Sequence, residues 1–234
     1  MEAIIRSGLA AMGIDAPAAP GLLAKYGELL VEKNQVMNLT AITEPDLVAQ
    51  LHFLDSAALL GAADFKSKRV IDVGTGAGFP GLPLRVLEPS IDLTLLDSLD
   101  KRIFWLREVC TALGANNVTC VHARAEEQAL AAGYHDAFDI AVSRAVADLR
   151  LLSELCLPYV KVGGHFLAMK GVGSDEELST AMGAIRLLGG KALPPYDYTI
   201  PGTDVRHRVV VIEKVAPTPK GYPRRWAKIQ KAPL

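Results

Sequence analysis

A chain of 234 residues in which half are apolar and 22% charged can bury a full core, so it needs no disulfide or metal staples and is not disordered. A formal net charge of −1 excludes a uniformly basic nucleic-acid coat but leaves room for a local basic patch. Cys110, Cys120 and Cys156 are too few and too scattered for a disulfide framework. With no CxxC pair and no clustered histidines, no metal is expected, and the thiols read as buried and reduced in a cytoplasmic protein. No basic leader precedes a long apolar run, and no stretch approaches about 18 uninterrupted apolar residues, so neither a secretory signal nor a membrane span is expected.

Residues 1–65 read as a helical extension. Over residues 18–31, Leu22, Leu23, Tyr26, Leu29 and Leu30 recur at one-face spacing. A second helix is predicted to start with Thr43 as its cap and Pro45 in its first turn, Asp46 lying three residues beyond Thr43. Leu47, Leu51, Leu54 and Ala58 then fall on one stripe, and His52 and Asp55 share a face.

From Arg69 the pattern changes. Residues 69–73, 91–96, 118–122, 138–142, 165–169 and 208–213 read as strands, with helical stretches at 82–87, 103–113, 149–159 and 176–188 between most of them. Such alternation predicts an α/β, Rossmann-like domain over residues 66–216, with a mostly parallel sheet and crossover helices. Between residues 193 and 215 the chain holds Pro194, Pro195, Pro201 and Gly202 and no helical period. An antiparallel C-terminal β-hairpin is therefore expected there, with Pro194-Pro195-Tyr196 as the turn before it. Residues 217–234 form a distinct tail in which Lys220, Arg224, Arg225, Lys228 and Lys231 are unrelieved by any acid. Pro217, Pro219, Pro223 and Pro233 preclude a long helix in it.

The strongest motif is Asp72-Val73-Gly74-Thr75-Gly76-Ala77-Gly78-Phe79-Pro80-Gly81. A buried strand runs into alternating glycines, and a helix follows. Glycine permits positive φ and lets a ligand lie against bare main chain. Two cofactor classes use this layout. Gly76 to Gly81 spells GxGxxG, and Asp97 follows Gly76 by 21 residues at the end of the second strand, the spacing of a dinucleotide site. The layout equally suits S-adenosylmethionine, whose ribose hydroxyls can donate to an acid in that place. Asp72 favours the second class, because a carboxylate so close to the turn repels a pyrophosphate but suits a sulfonium and an ammonium. Ala125-Glu126 follows the third strand, where a nucleoside base would lie, and Ser143-Arg144-Ala145 closes the fourth. All of these fall at carboxyl ends of strands, the ligand side of an open α/β sheet. An NAD-dependent oxidoreductase and a nonenzymatic RNA-binding protein remain the rival readings.

With these motifs in place, the chain resembles the bacterial RsmG family of ribosomal RNA methyltransferases, also called glucose-inhibited division protein B. The resemblance is carried by Asn38-Leu39-Thr40-Ala41-Ile42, His52-Phe53-Leu54-Asp55-Ser56 and the glycine motif. Leu95-Leu96-Asp97-Ser98 with Lys101-Arg102, Ser143-Arg144-Ala145 and Tyr222-Pro223-Arg224-Arg225 extend it over residues 26–234. It implies a class I methyltransferase fold and methyl transfer from S-adenosylmethionine to N7 of one guanine in the decoding region of 16S rRNA. The implied partner is that RNA or the small ribosomal subunit. By position, Gly74 and Phe79 would contact the cofactor, Asp97 and Ser98 its ribose side, Ala125 and Glu126 its adenine side, and Arg144 its methionine end. Asp72, Gly76 and Gly78 complete the expected cofactor set. The family usually has Arg before the histidine of the second segment, where this chain has Leu51.

Guanine N7 already carries an in-plane lone pair, so no proton has to leave first. Positioning alone, able to supply roughly 7–11 kcal/mol, is the expected mechanism, without a general base or covalent intermediate. Residues for other methyl transfers are out of place. Cys156 is not in a Pro-Cys pair, and Ser143-Arg144-Ala145 stands where an Asn/Asp-Pro-Pro-Tyr turn would serve an exocyclic amine. RNA contacts are expected from Lys220, Arg224, Arg225 and Lys228, with Arg206, His207 and Arg208 extending the patch and Tyr222 or Trp226 stacking on a base.

Overall fold

Helix α1 (Glu2–Ala11) buries Ile5, Gly8 and Leu9, one stripe at helical spacing. Helix α2 (Ala19–Met37) has Pro20 in its first turn and ends at Asn38 in the left-handed conformation. Past that end, the Asn34 side chain accepts from the amides of Leu39 and Thr40 at 2.6 and 2.9 Å. The structure, a computed structural model, describes residues 1–144 and 147–234; Ala145 lies outside the described residues.

The second predicted helix is broken into pieces. α3 (Pro45–Val48) is entered through Glu44, not Thr43, and no side chain caps it. A π-helical turn, Ala49–Leu54, follows, then α4 (Asp55–Ala57) and α5 (Leu59–Ala62). The wider turn rotates what comes after it out of the expected stripe. Leu47 is exposed, whereas every residue from His52 to Leu59 is buried.

The sheet region runs β1 (Arg69–Val73), α6 (Gly81–Leu87), β2 (Asp92–Asp97), α7 (Asp100–Leu113), β3 (Val118–His122) and α8 (Ala125–Gln128). It continues β4 (Phe138–Ser143), α9 (Leu149–Cys156), β5 (Val160–Gly171), α10 (Asp175–Leu187), β6 (Gly190–Ala192), β7 (Tyr196–Thr199), β8 (Arg206–Lys214) and α11 (Trp226–Lys231). Strand order is β3-β2-β1-β4-β5-β8-β6, with β7 also on β8. β1 to β5 pair in parallel, and β8 is antiparallel to β5, β6 and β7. The expected hairpin is β7–β8. Strand β6, too short to show a period, pairs with the far end of β8. Pro194 and Pro195 separate β6 from β7, since proline offers no amide to the ladder.

Alternation along the strands divides the core in two. Val70, Leu93, Leu95, Ile140, Val142, Leu167 and Val209 face α2, α6 and α7, whose Leu23, Tyr26, Leu82, Ile103 and Leu106 join the same cluster. Ile71, Val73, Leu96, Ala141, Phe166 and Val210 face α9 and α10. The N-terminal helices therefore share one of the sheet's two cores. Among the described residues, no helix is long and apolar enough to cross a membrane.

Lys214, fully buried at the end of β8, ties the tail to the sheet. Its Nζ donates to Asp136 Oδ1 at 2.9 Å, Leu157 O at 2.7 Å and Thr218 Oγ1 at 2.6 Å. Lys214→Ala leaves the Asp136 carboxylate without its cation and is expected to lower unfolding free energy by about 3 kcal/mol, read from urea unfolding. A loss below about 1 kcal/mol would show that this network is not holding the tail.

Candidate functional site

The glycine turn leaves the carboxyl end of β1 with Gly74, Gly76 and Gly78 at φ of 73°, 58° and 93°. A Cβ on Gly74 would meet nothing within 4 Å, so its main chain faces open space. One on Gly78 would run into the Tyr26 hydroxyl and Leu106, so there glycine serves packing. The turn is braced from three directions. Asp72 Oδ2 accepts from Thr75 Oγ1 at 2.7 Å and from the Gly81 amide at 2.8 Å. Asp97 Oδ2 accepts from the Gly76 amide at 2.9 Å, and the Tyr26 hydroxyl donates to Ala77 O. Pro80 is the N-cap residue of α6.

Beside the turn lies a cleft of about 450 Å³, within the range of small-molecule sites. It opens at the carboxyl ends of β1, β2 and β3, between α8 and α9. Of the residues expected to hold a cofactor, it brings together Gly74, Asp97, Ser98, Ala125 and Glu126. Asp97 is almost buried and already holds the Leu99 amide at 2.9 Å and Arg102 Nη1 at 3.3 Å. Glu126 accepts from Arg124 Nε at 2.6 Å. Leu152 and Leu155 of α9 and Trp226 of α11 supply the apolar side.

Asp72, Gly78, Phe79 and Arg144 do not line the cleft. Alternation is the reason: Val73 turns to the α9 face, so Asp72 turns to the opposite one, where it is wholly buried under the turn. Burial pushes its carboxyl up to about 7. Its Oδ1 has no partner among the described residues. Gly76, half-buried, belongs to the turn but not to the cleft wall.

Phe79 is buried between Tyr26 and His52, whose ring stacks on it at 4.5 Å, and the Arg144 guanidinium lies 4.8 Å over its face. Arg144 donates to Leu51 O at 3.1 Å, Asp55 Oδ2 at 3.3 Å and His52 Nδ1 at 3.0 Å. An arginine can only donate, so His52 carries its proton on Nε2 and passes it toward Thr40 Oγ1 at 2.9 Å. Burial, then the Arg144 charge, pushes the imidazole down to about 3. Asp55 Oδ1 also accepts from Tyr198 at 2.7 Å and pairs with His207 Nδ1 at 2.8 Å. His52 and Asp55, expected to share a helix face, thus hold Arg144.

A family profile described as GidB, rRNA small subunit methyltransferase G, matches residues 21–194. The chain is 48% identical over 210 residues to the ribosomal RNA small subunit methyltransferase G of Clostridium beijerinckii, covering 89% of this chain and 88% of that protein. With the protein of the same name from Alkaliphilus oremlandii it is 45% identical over 236 residues, covering 100% and 99%. The chain belongs to the GidB family. Its fold is that of Rossmann-like methyltransferases. TrmN from Thermus thermophilus matches at TM-score 0.54 and 22% identity, over 68% of this chain and 48% of that one. M. jannaschii TYW2, solved in complex with AdoMet, matches at TM-score 0.54 and 14% identity, over 69% and 75%. Family membership makes the chain a methyltransferase.

Three members of the expected RNA patch of this GidB-family chain are otherwise engaged, His207 among them through Asp55. Arg208 is buried, with Asp197 on Nε and Nη2 at 2.6 and 2.9 Å and Asp175 on Nη1 at 2.6 Å. Arg224 grips the fully buried Glu154. Both guanidiniums are paired with carboxylates. Arg206, Lys220, Arg225 and Lys228 are exposed. Residue spacing gave no sign of Arg124 or Trp226 in the cleft, nor of Thr40 and Tyr198 around Arg144. Trp226 and Tyr198 arrive from distant segments, whereas Arg124 directly precedes Ala125.

The Asp55 hydrogen bond raises the His207 pKa above its ordinary value of 6.5. Folded-state protonation then adds stability that is complete below the unfolded value and lost as pH rises through the folded one. An NMR titration, assigned with His207→Gln, should place the His207 midpoint above 6.5 and return it toward 6.5 in Asp55→Asn. A wild-type midpoint at or below 6.5 would contradict the pairing.

Proposed function

We propose that this methyltransferase carries a methyl group from S-adenosylmethionine to N7 of a guanine in the decoding region of 16S rRNA, in the cytoplasm. The observation that carries the cofactor assignment is the cleft beside Gly74, where open main chain meets Asp97 and Ser98. The Gly74 main chain is unobstructed there. When bound, S-adenosylmethionine supplies an electrophilic methyl group. Asp97 would orient the ribose hydroxyls, Ser98 would flank them, and Ala125 and Glu126 would border the base. Arg144, fixed by Asp55 and His52 at the carboxyl end of β4, would take the methionine end.

Positioning without a base is favoured by what surrounds the turn. His52 has both ring nitrogens engaged, and Asp55 holds Arg144, Tyr198 and His207. Cys156 is wholly buried, and burial pushes its thiol well up, so it offers no thiolate. A nucleophile with a free lone pair needs none of these groups, only alignment and exclusion of water. For RNA, the exposed Arg206, Lys220, Arg225 and Lys228 are the candidates to meet phosphates.

The deciding experiment is labelled methyl transfer to undermodified ribosomal RNA and to small subunits, with the product nucleoside identified by mass. N7-methylguanosine is expected; another modified nucleoside refutes the N7 assignment, and no product refutes the activity. Asp97→Ala should weaken S-adenosylhomocysteine binding by about 1–3 kcal/mol in calorimetry, and an unchanged affinity would remove Asp97 from the ribose site. Replacing Arg225 and Lys228 together with alanine should flatten the log–log salt dependence of RNA binding by about 1.4–1.8, two phosphate contacts' worth. A wild-type slope in that variant would place the RNA elsewhere.

A further inference from the structure

The apolar side of the cleft contains one aromatic ring, and it comes from the tail. Trp226 opens α11 and lines the same cleft as Asp97 and Ser98. The Arg124 guanidinium sits 5.3 Å from its ring centroid, and the same Arg124 holds Glu126 at 2.6 Å. Ring, guanidinium and carboxylate thus form a connected rim along the side expected to take the cofactor's base. Trp105, the other tryptophan, lies in the core and is 3% exposed.

The ring is held in place by an unusually firm tether. Two residues before it, Arg224 donates to Glu154 from its main-chain amide at 2.9 Å, from Nε at 2.8 Å and from Nη2 at 2.6 Å. Glu154 is fully buried in α9, the helix that also supplies Leu152 and Leu155 to the cleft. Three residues after Trp226, Ile229 is fully buried. A buried ion pair is a poor source of net stability compared with apolar packing, but it fixes geometry. Here it fixes a proline-rich segment so that an indole closes the cleft.

We infer that Trp226 belongs to the cofactor site as the aromatic wall on which the purine base packs, and that Glu154 and Arg224 are the positioning pair that holds it there. A planar purine gains from a flat π-surface of fixed orientation, and Leu152 and Leu155 complete an apolar slot for it. The inference rests on the proposed S-adenosylmethionine site, and deepens it.

The test is calorimetric titration of S-adenosylhomocysteine into the full chain and three variants, with thermal unfolding to confirm folding. Trp226→Ala should weaken binding about fivefold or more, and Trp226→Phe should retain most of the affinity. Glu154→Gln should also weaken binding although Glu154 does not line the cleft. Because Trp105 is sequestered, wild-type tryptophan emission should change on titration, and Trp226→Phe should bind without that change. If Trp226→Ala proves unstable, the wild-type emission still decides: no change at saturating ligand overturns the inference. Unchanged affinity in folded Trp226→Ala overturns it too, and unchanged affinity in Glu154→Gln overturns the positioning role. Should the wild-type chain itself bind no S-adenosylhomocysteine, the cofactor assignment falls and this inference with it.

Discussion

Two carboxylates at the ends of neighbouring strands hold the glycine turn beside which the cleft opens. Asp72 ends its reach on the Gly81 amide and Thr75, and Asp97 on the Gly76 amide. A segment with three positive φ values has little conformational preference of its own, so it must be fixed by bonds from outside. Charged acceptors inside a poorly solvated region make strong bonds to amides. Burying Asp72 is costly, as its raised pKa records, and the cost is borne where the chain must present bare main chain. Tyr26 adds the third brace from α2, so the N-terminal helices take part in shaping the turn.

The functional groups fall into two sets. Gly74, Asp97, Glu126 and Trp226 lie around the cleft. Phe79, His52, Asp55 and Arg144 are joined by stacking and hydrogen bonds. The two meet at the turn, whose Gly74 belongs to one and whose Phe79 belongs to the other. The π-helical turn serves the second set, because its Leu51 carbonyl accepts from Arg144 while His52 faces Phe79. A position that usually carries an arginine in the family here contributes its main chain.

The tail shows how local composition can mislead. Five cations without an acid read as one basic surface. In the fold Arg224 is internal, Ile229 is core and Trp226 faces the cleft, while Arg225 and Lys228 remain at the surface. Charge alone cannot tell a guanidinium that will find a buried Glu154 from one that will meet solvent, because the partner lies 70 residues away.

Alternating apolar strands and amphipathic helices were enough to determine the α/β class, the parallel run of β1 to β5 and the closing hairpin, because those signals are local and periodic. The glycine motif and Asp97 were legible for the same reason: a turn and the end of a strand are short-range features. Tertiary structure alone decided which side of the sheet each residue serves. It turned Asp72 away from the cleft, bound His52 and Asp55 to Arg144, neutralised Arg208 and brought Trp226 across from the far end of the chain. These outcomes depend on pairings between separated segments and on strand alternation meeting a particular helix layer, which periodicity within one element does not report.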